Sequence, residues 1–102
     1  MTRLTALQGG GDAQHYPMLP PGDCYSASAA LAQVYPELRY AEGTRTFTVH
    51  VQPDGHAESS TVAHAWNVTS SGEIWDSTLD PVAREAAQHG RLLVTYAEGG
   101  TP

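Results

Sequence analysis

The sequence predicts an α+β domain in which a helix opened by a cysteine packs on an antiparallel β-sheet, with a second short helix before the last strand. Three observations carry this. Asp23 and Pro36 bracket an apolar-periodic run that starts at Cys24. Phe47, Val49 and Val51 alternate with Thr46, Thr48 and His50 within residues 44–52, and residues 62–69 read as a further strand. Asp80-Pro81 and Gly90 then enclose VAREAAQH, after which Leu92, Val94 and Tyr96 alternate to one face.

In chain order, residues 1–13 end in Gly9-Gly10-Gly11 and read as a flexible arm, and residues 14–97 as one domain. Pro17, Pro20, Pro21 and Gly22 mark an extended entry. In the first helix Asp23 is the N-cap, Ala27, Ala30, Leu31 and Val34 form the apolar stripe, and Pro36 forbids continuation. Two strands are expected next, Leu38–Glu42 closed by Gly43, and Thr44–Gln52 with Phe47, Val49 and Val51 facing one way. Residues 53–60 carry Asp54-Gly55 and no apolar side chain larger than alanine, so they read as an exposed hairpin loop or a lid. Strands over 62–69 and 73–77 follow, joined by Ser70-Ser71-Gly72. The second helix has Asp80 as cap and Pro81 at its first position. Residues 91–96 form the last strand and 98–102 a loose tail.

Composition limits the function. With 102 residues the chain has room for one hydrophobic core. All five basic residues are Arg, against eleven acidic ones, and the net charge of −6 opposes binding to nucleic acid or anionic lipid. The absence of Lys removes Schiff-base chemistry. No signal-peptide h-region and no run of about 20 apolar residues is present, so a cytoplasmic location is expected. A lone Cys24 makes neither an internal disulfide nor a zinc ribbon, and His15, His50, His56 and His89 lack metal-ligand spacing, so no metal or cofactor is implied.

The chemistry-bearing residues converge on one register. A three-residue connection with glycine in the left-handed position pairs Thr69 with Glu73, sets Trp66 against Asp76, and leaves His64 diagonal to Asp76, about 7–8 Å away at the backbone. Val62, His64, Trp66 and Val68 then share a face that reads as core, with Ala63, Ala65, Asn67 and Thr69 on the other. The first helix is expected to cover the face bearing His64 and Asp76. Cys24 in its first turn would gain thiolate character from the free N–H groups, against which a capping Asp23 works. Cysteine, histidine and aspartate so placed suit acyl transfer, with His64 accepting the thiol proton and Asp76 orienting the ring.

The order DCYSASAALA, LRYAEG, VAHAWNV, EIWDSTL, over residues 23–79, resembles the transglutaminase-like core of the papain-like superfamily. The resemblance implies a minimal core of that fold, of phage or bacterial origin, with Cys24 as nucleophile, His64 as base and Asp76 as its partner. It further implies a protein or peptide substrate held at an amide or isopeptide bond. Where the family often has Pro-Thr after the aspartate, this chain has Ser77-Thr78. Gln14 is the candidate oxyanion donor; Trp66 either stacks on substrate or packs in the core, and Asn67 either serves the site or holds a neighbouring segment. Two functions follow: a thiol peptidase, deamidase or transamidase, or a non-catalytic binding module of the same fold that sequesters a protein partner.

Overall fold

The computed structural model describes residues 4–6, 16–20, 22–51 and 55–99. Its elements are β1 (Leu4–Ala6), α1 (Cys24–Val34), β2 (Arg39–Val51), β3 (His56–Val68), β4 (Ile74–Trp75), α2 (Pro81–Gln88) and β5 (Leu93–Glu98). The expected α+β class is the observed one. The strands form a single antiparallel sheet in the order β1-β5-β2-β3-β4. None of the described helices is long and apolar enough to cross a membrane.

Both helices start where their caps put them. Asp23 accepts from the N–H groups of Tyr25 and Ser26, and Asp80 from those of Val82 and Ala83. These bonds satisfy first-turn donors that have no partner inside a helix. Gly72 and Gly90 take the left-handed conformations that end the β3–β4 hairpin and α2.

The structure corrects the sequence-based expectations at several places. Gly43 does not close a strand: β2 is continuous, and Gly43 lies where β5 approaches so closely that a Cβ would stand 1.9 Å from the carbonyl oxygen of Ala97. Residues 56–60 belong to β3, not to a loop. Their apolar pattern is silent, but the ladder to β2 holds them, with hydroxyl pairs Thr46–Thr61 (2.8 Å) and Thr48–Ser59 (2.9 Å) across it. Leu4–Ala6, expected in the arm, pairs with β5, and Glu98, expected in the tail, ends β5 in an ion pair with Arg39. The α1 stripe is rotated: Cys24, Ser28 and Leu31 are buried and Val34 is exposed.

Both faces of the sheet hold a buried apolar cluster. One carries Ala41, Trp66, Val68, Ile74, Val94 and Tyr96, with Ala87 of α2 packed against them. The other meets α1, where Leu31 packs with Leu38 and Trp75. Trp66 and Trp75 thus point to opposite sides, as strand alternation requires.

Candidate functional site

The β3–β4 hairpin has the predicted register. Thr69 N–H donates to the Glu73 carbonyl at 2.9 Å, and Asn67 pairs with Trp75 and Val68 with Ile74. Asp76 therefore follows β4 directly opposite Trp66, and His64 reaches it diagonally: Nε2 lies 2.8 Å from Asp76 Oδ1. Both are buried, His64 at 5% exposure and Asp76 at 0%.

Two residues that the sequence reading passed over complete this cluster. Arg45 Nη1 donates to Asp76 Oδ2 at 2.9 Å, and the Tyr96 hydroxyl donates to the same oxygen at 2.7 Å. Both signals are in the sequence: Arg45 alternates with Phe47 and Val49, and Tyr96 with Val94. In the sheet Arg45 and Tyr96 are direct cross-strand partners, and His64 is paired with Gly43, one step along the same face from Arg45. Arg45 also stacks on the Phe47 ring at 4.7 Å.

The contacts fix the imidazole's orientation. Nε2 lies 3.0 Å from Arg45 Nη1, which is only a donor, and 2.8 Å from a carboxylate, which is only an acceptor. Nε2 cannot accept from Arg45 and donate to Asp76 at once. Since Arg45 Nη1 already donates to Asp76 Oδ2, the pattern that satisfies the carboxylate puts a proton on Nε2, donated to Asp76, with Nη1 only a neighbour of the ring, and leaves Nδ1 as the atom open to another group. Burial alone pushes the Asp76 carboxyl up. The hydrogen bond and charge of His64, the Tyr96 hydroxyl and the charge of Arg45 together outweigh it and hold the group below its usual range. Burial and the adjacent carboxylate push the Tyr96 phenol strongly upward, so it remains a donor. Arg84 adds a bond from Nη2 to the Asp76 backbone carbonyl at 2.8 Å while its guanidinium lies over Trp75.

Cys24 is not part of this cluster. Asn67 Nδ2 donates to the Ser28 carbonyl of α1 at 3.0 Å, so α1 sits on the Asn67 side of β3. His64 is three residues away on a strand whose register is unbroken and therefore faces the other side. Tyr40, the cross-strand partner of Asn67, tells the same story: burial and its bond to Glu42 push its phenol up to about 12, with Tyr25 and Cys24 contributing from nearby. The expectation that α1 covers the His64 face is thus corrected. The stripe of α1 runs through small Ser28, which lets the helix approach the amide of Asn67. Cys24 is buried at 9% exposure, and among the described residues its sulfur makes no hydrogen bond. Its helix N-terminus is capped by Asp23, whose Oδ2 also accepts from Ser26 Oγ at 2.6 Å.

The other candidates divide. Trp66 is a core residue, 1% exposed, with ring centroids 6.3 Å from His64 and 5.0 Å from Tyr96. Asn67 holds α1 to the sheet. Gln14 lies outside the described residues. Among the described residues no group of three or more His, Cys, Asp or Glu is placed to hold a metal ion. The fold and this cluster define an α+β protein with a buried His–Asp–Arg–Tyr network in its sheet. Comparisons with protein-family models, curated proteins and solved structures find no match to the chain.

Proposed function

We propose that this chain is a non-catalytic binding module that shares its helix-on-sheet plan with thiol enzymes and uses His64 and Asp76 to fasten its sheet. The observation that carries this reading is the separation of the two halves of a thiol site. Asp76 is held by His64, Arg45 and Tyr96 on one face of β3, and α1, which bears Cys24, packs on the other. A cysteine nucleophile works when its base is within hydrogen-bond reach, and three donors on one buried carboxylate are what a structural fastening needs. The test is the pH profile of Cys24 alkylation by a small thiol reagent in wild type and in His64→Gln, which retains a donor toward Asp76. The expected profiles superimpose. A thiol that loses reactivity at neutral pH when His64 is replaced would overturn the reading.

One observation favours the thiol-enzyme alternative. The Nε2–Asp76 bond at 2.8 Å leaves Nδ1 of His64 for a nucleophile, and Cys24 opens α1 as a nucleophile would. In that reading the thiolate attacks an amide or isopeptide carbonyl of a protein or peptide, His64 returns the proton to the leaving amine, and water or a second amine releases the acyl group. It requires the start of α1 to come to the His64 side of β3. Trapping of a substrate acyl group on Cys24, lost in His64→Gln, is the result it demands.

A further inference from the structure

Among the described residues the outer edge of β3 is open. β4 pairs only with Asn67 and Val68, so among the described residues no strand lies beside residues 56–66 on that side, and residues 56–63 are exposed. The direction of each peptide group follows from two bonds. Thr69 N–H donates outward to Glu73 on the β4 side, and Gly99 N–H donates to Glu42 on the β5 side of β2. In an antiparallel ladder the outward and inward groups alternate. The even-numbered residues of β3 therefore bond to β2, and Ala57, Ser59, Thr61 and Ala63 turn N–H and C=O outward.

Edges of this kind are usually blunted by proline, lysine, a bulge or an inward charge. Residues 57–63 read AESSTVA, with none of these devices: the ladder to β2 is continuous and Glu58 is the one charge. We propose that a second copy of this chain pairs with this edge, antiparallel about a twofold axis beside Ser60, so that the two sheets become one. Ala57 then faces Ala63 of the second copy and Ser59 faces Thr61, and each facing pair exchanges two hydrogen bonds. This register is selected by the chain itself. It uses all four outward-facing residues of both copies, whereas a slip by two leaves Ala57 or Ala63 unpaired. A slip by four toward the hairpin tip sets Glu58 against its own mate, a like-charge pair that opposes pairing. In the chosen register Glu58 faces Val62, which is 47% exposed in the single chain. Pairing ends at Ala63 because Ala65 is already buried. The inference goes beyond the binding-module reading and does not depend on what Cys24 does.

The test is light scattering on the intact chain over rising micromolar concentration, with amide hydrogen exchange on the same samples. The expected mass climbs from 10.9 kDa toward twice that value, and the amides of Ser59, Thr61 and Ala63 become protected in step. Thr61→Pro removes an outward N–H and, toward β2, only the Thr46–Thr61 hydroxyl pair, leaving the backbone ladder whole, so the variant keeps the fold and stays monomeric. A wild type that remains monomeric would overturn the proposal, even if an unrelated extended peptide docked on the same amides. So would a dimer in which those amides stay unprotected, a result that needs no variant to fold.

Discussion

Gly43→Ala is expected to lower the melting temperature by more than about 10 °C or to prevent folding, although alanine is the better residue at most strand positions. The reason is local and steric. A Cβ at position 43 would stand 1.9 Å from the Ala97 carbonyl oxygen, 2.9 Å from its carbon and 3.0 Å from Glu98 Cα. All three are backbone atoms, so no rotamer relieves the overlap and β5 has to move away from β2. That movement opens the end of the ladder, where Gly43 pairs with Glu98, Thr44 pairs with Ala97 and Gly99 N–H donates to Glu42. It also pulls Tyr96 from Asp76. Ordinary overpacking costs about 1–3 kcal/mol, and this case adds lost ladder bonds. Gly72→Ala is the control: its φ of +88° strains alanine, but no atom lies within 4 Å of the added Cβ, so a loss of about 1–2 kcal/mol is expected. Thermal unfolding of the two variants separates crowding from backbone strain; equal losses would contradict the close approach of β5.

What the sequence made legible follows from how locally each feature is determined. Caps, prolines and the Ser70-Ser71-Gly72 turn act over a few residues, and they placed α1, α2 and the β3–β4 register, and with the register the meeting of His64 with Asp76. The extent of β3 was not legible, because AESSTVA has no apolar alternation and its strand state comes from pairing with β2. Gly43 misled for a similar reason: a glycine read along one strand looks like a break, and its purpose appears only when β5, some fifty residues later, lies against it. The side of the sheet taken by α1 was the consequential miss. Both faces of β3 near Trp66 are buried, so apolar character there did not distinguish the helix face, and the deciding contact is polar, Asn67 to the carbonyl of Ser28. Arg45 and Tyr96 were each visible as members of an apolar alternation. That they meet on one carboxylate depends on β2 lying between β3 and β5.

Replacing Asp76 is the second change with a large expected effect, and its pH dependence distinguishes a fastening from a bystander. Asp76→Asn keeps the shape but leaves Arg45, half-buried against Phe47, without its counter-charge; losing one partner of a buried pair costs about 3–5 kcal/mol. Tyr96→Phe, which removes one bond to the charged group, is expected to cost less, about 1.5–3 kcal/mol. The sign of the pH effect follows from the direction of the shift. The folded protein holds the Asp76 carboxyl below its ordinary value of 3.8, so near that pH the unfolded chain binds more protons than the folded one and stability rises with pH. The contribution of Asp76 is complete above that value and is lost as pH falls through the lower folded one. Urea unfolding at neutral pH and near pH 3 should show a large gap between wild type and Asp76→Asn at the first and a smaller gap at the second. If the gap is absent at neutral pH, the cluster does not hold the sheet, and His64 and Asp76 are free for the catalytic role. If it is present and Cys24 alkylation ignores His64, then the histidine and aspartate, placed as a base and its partner would be, serve in this chain to join β2, β3 and β5 through one buried carboxylate.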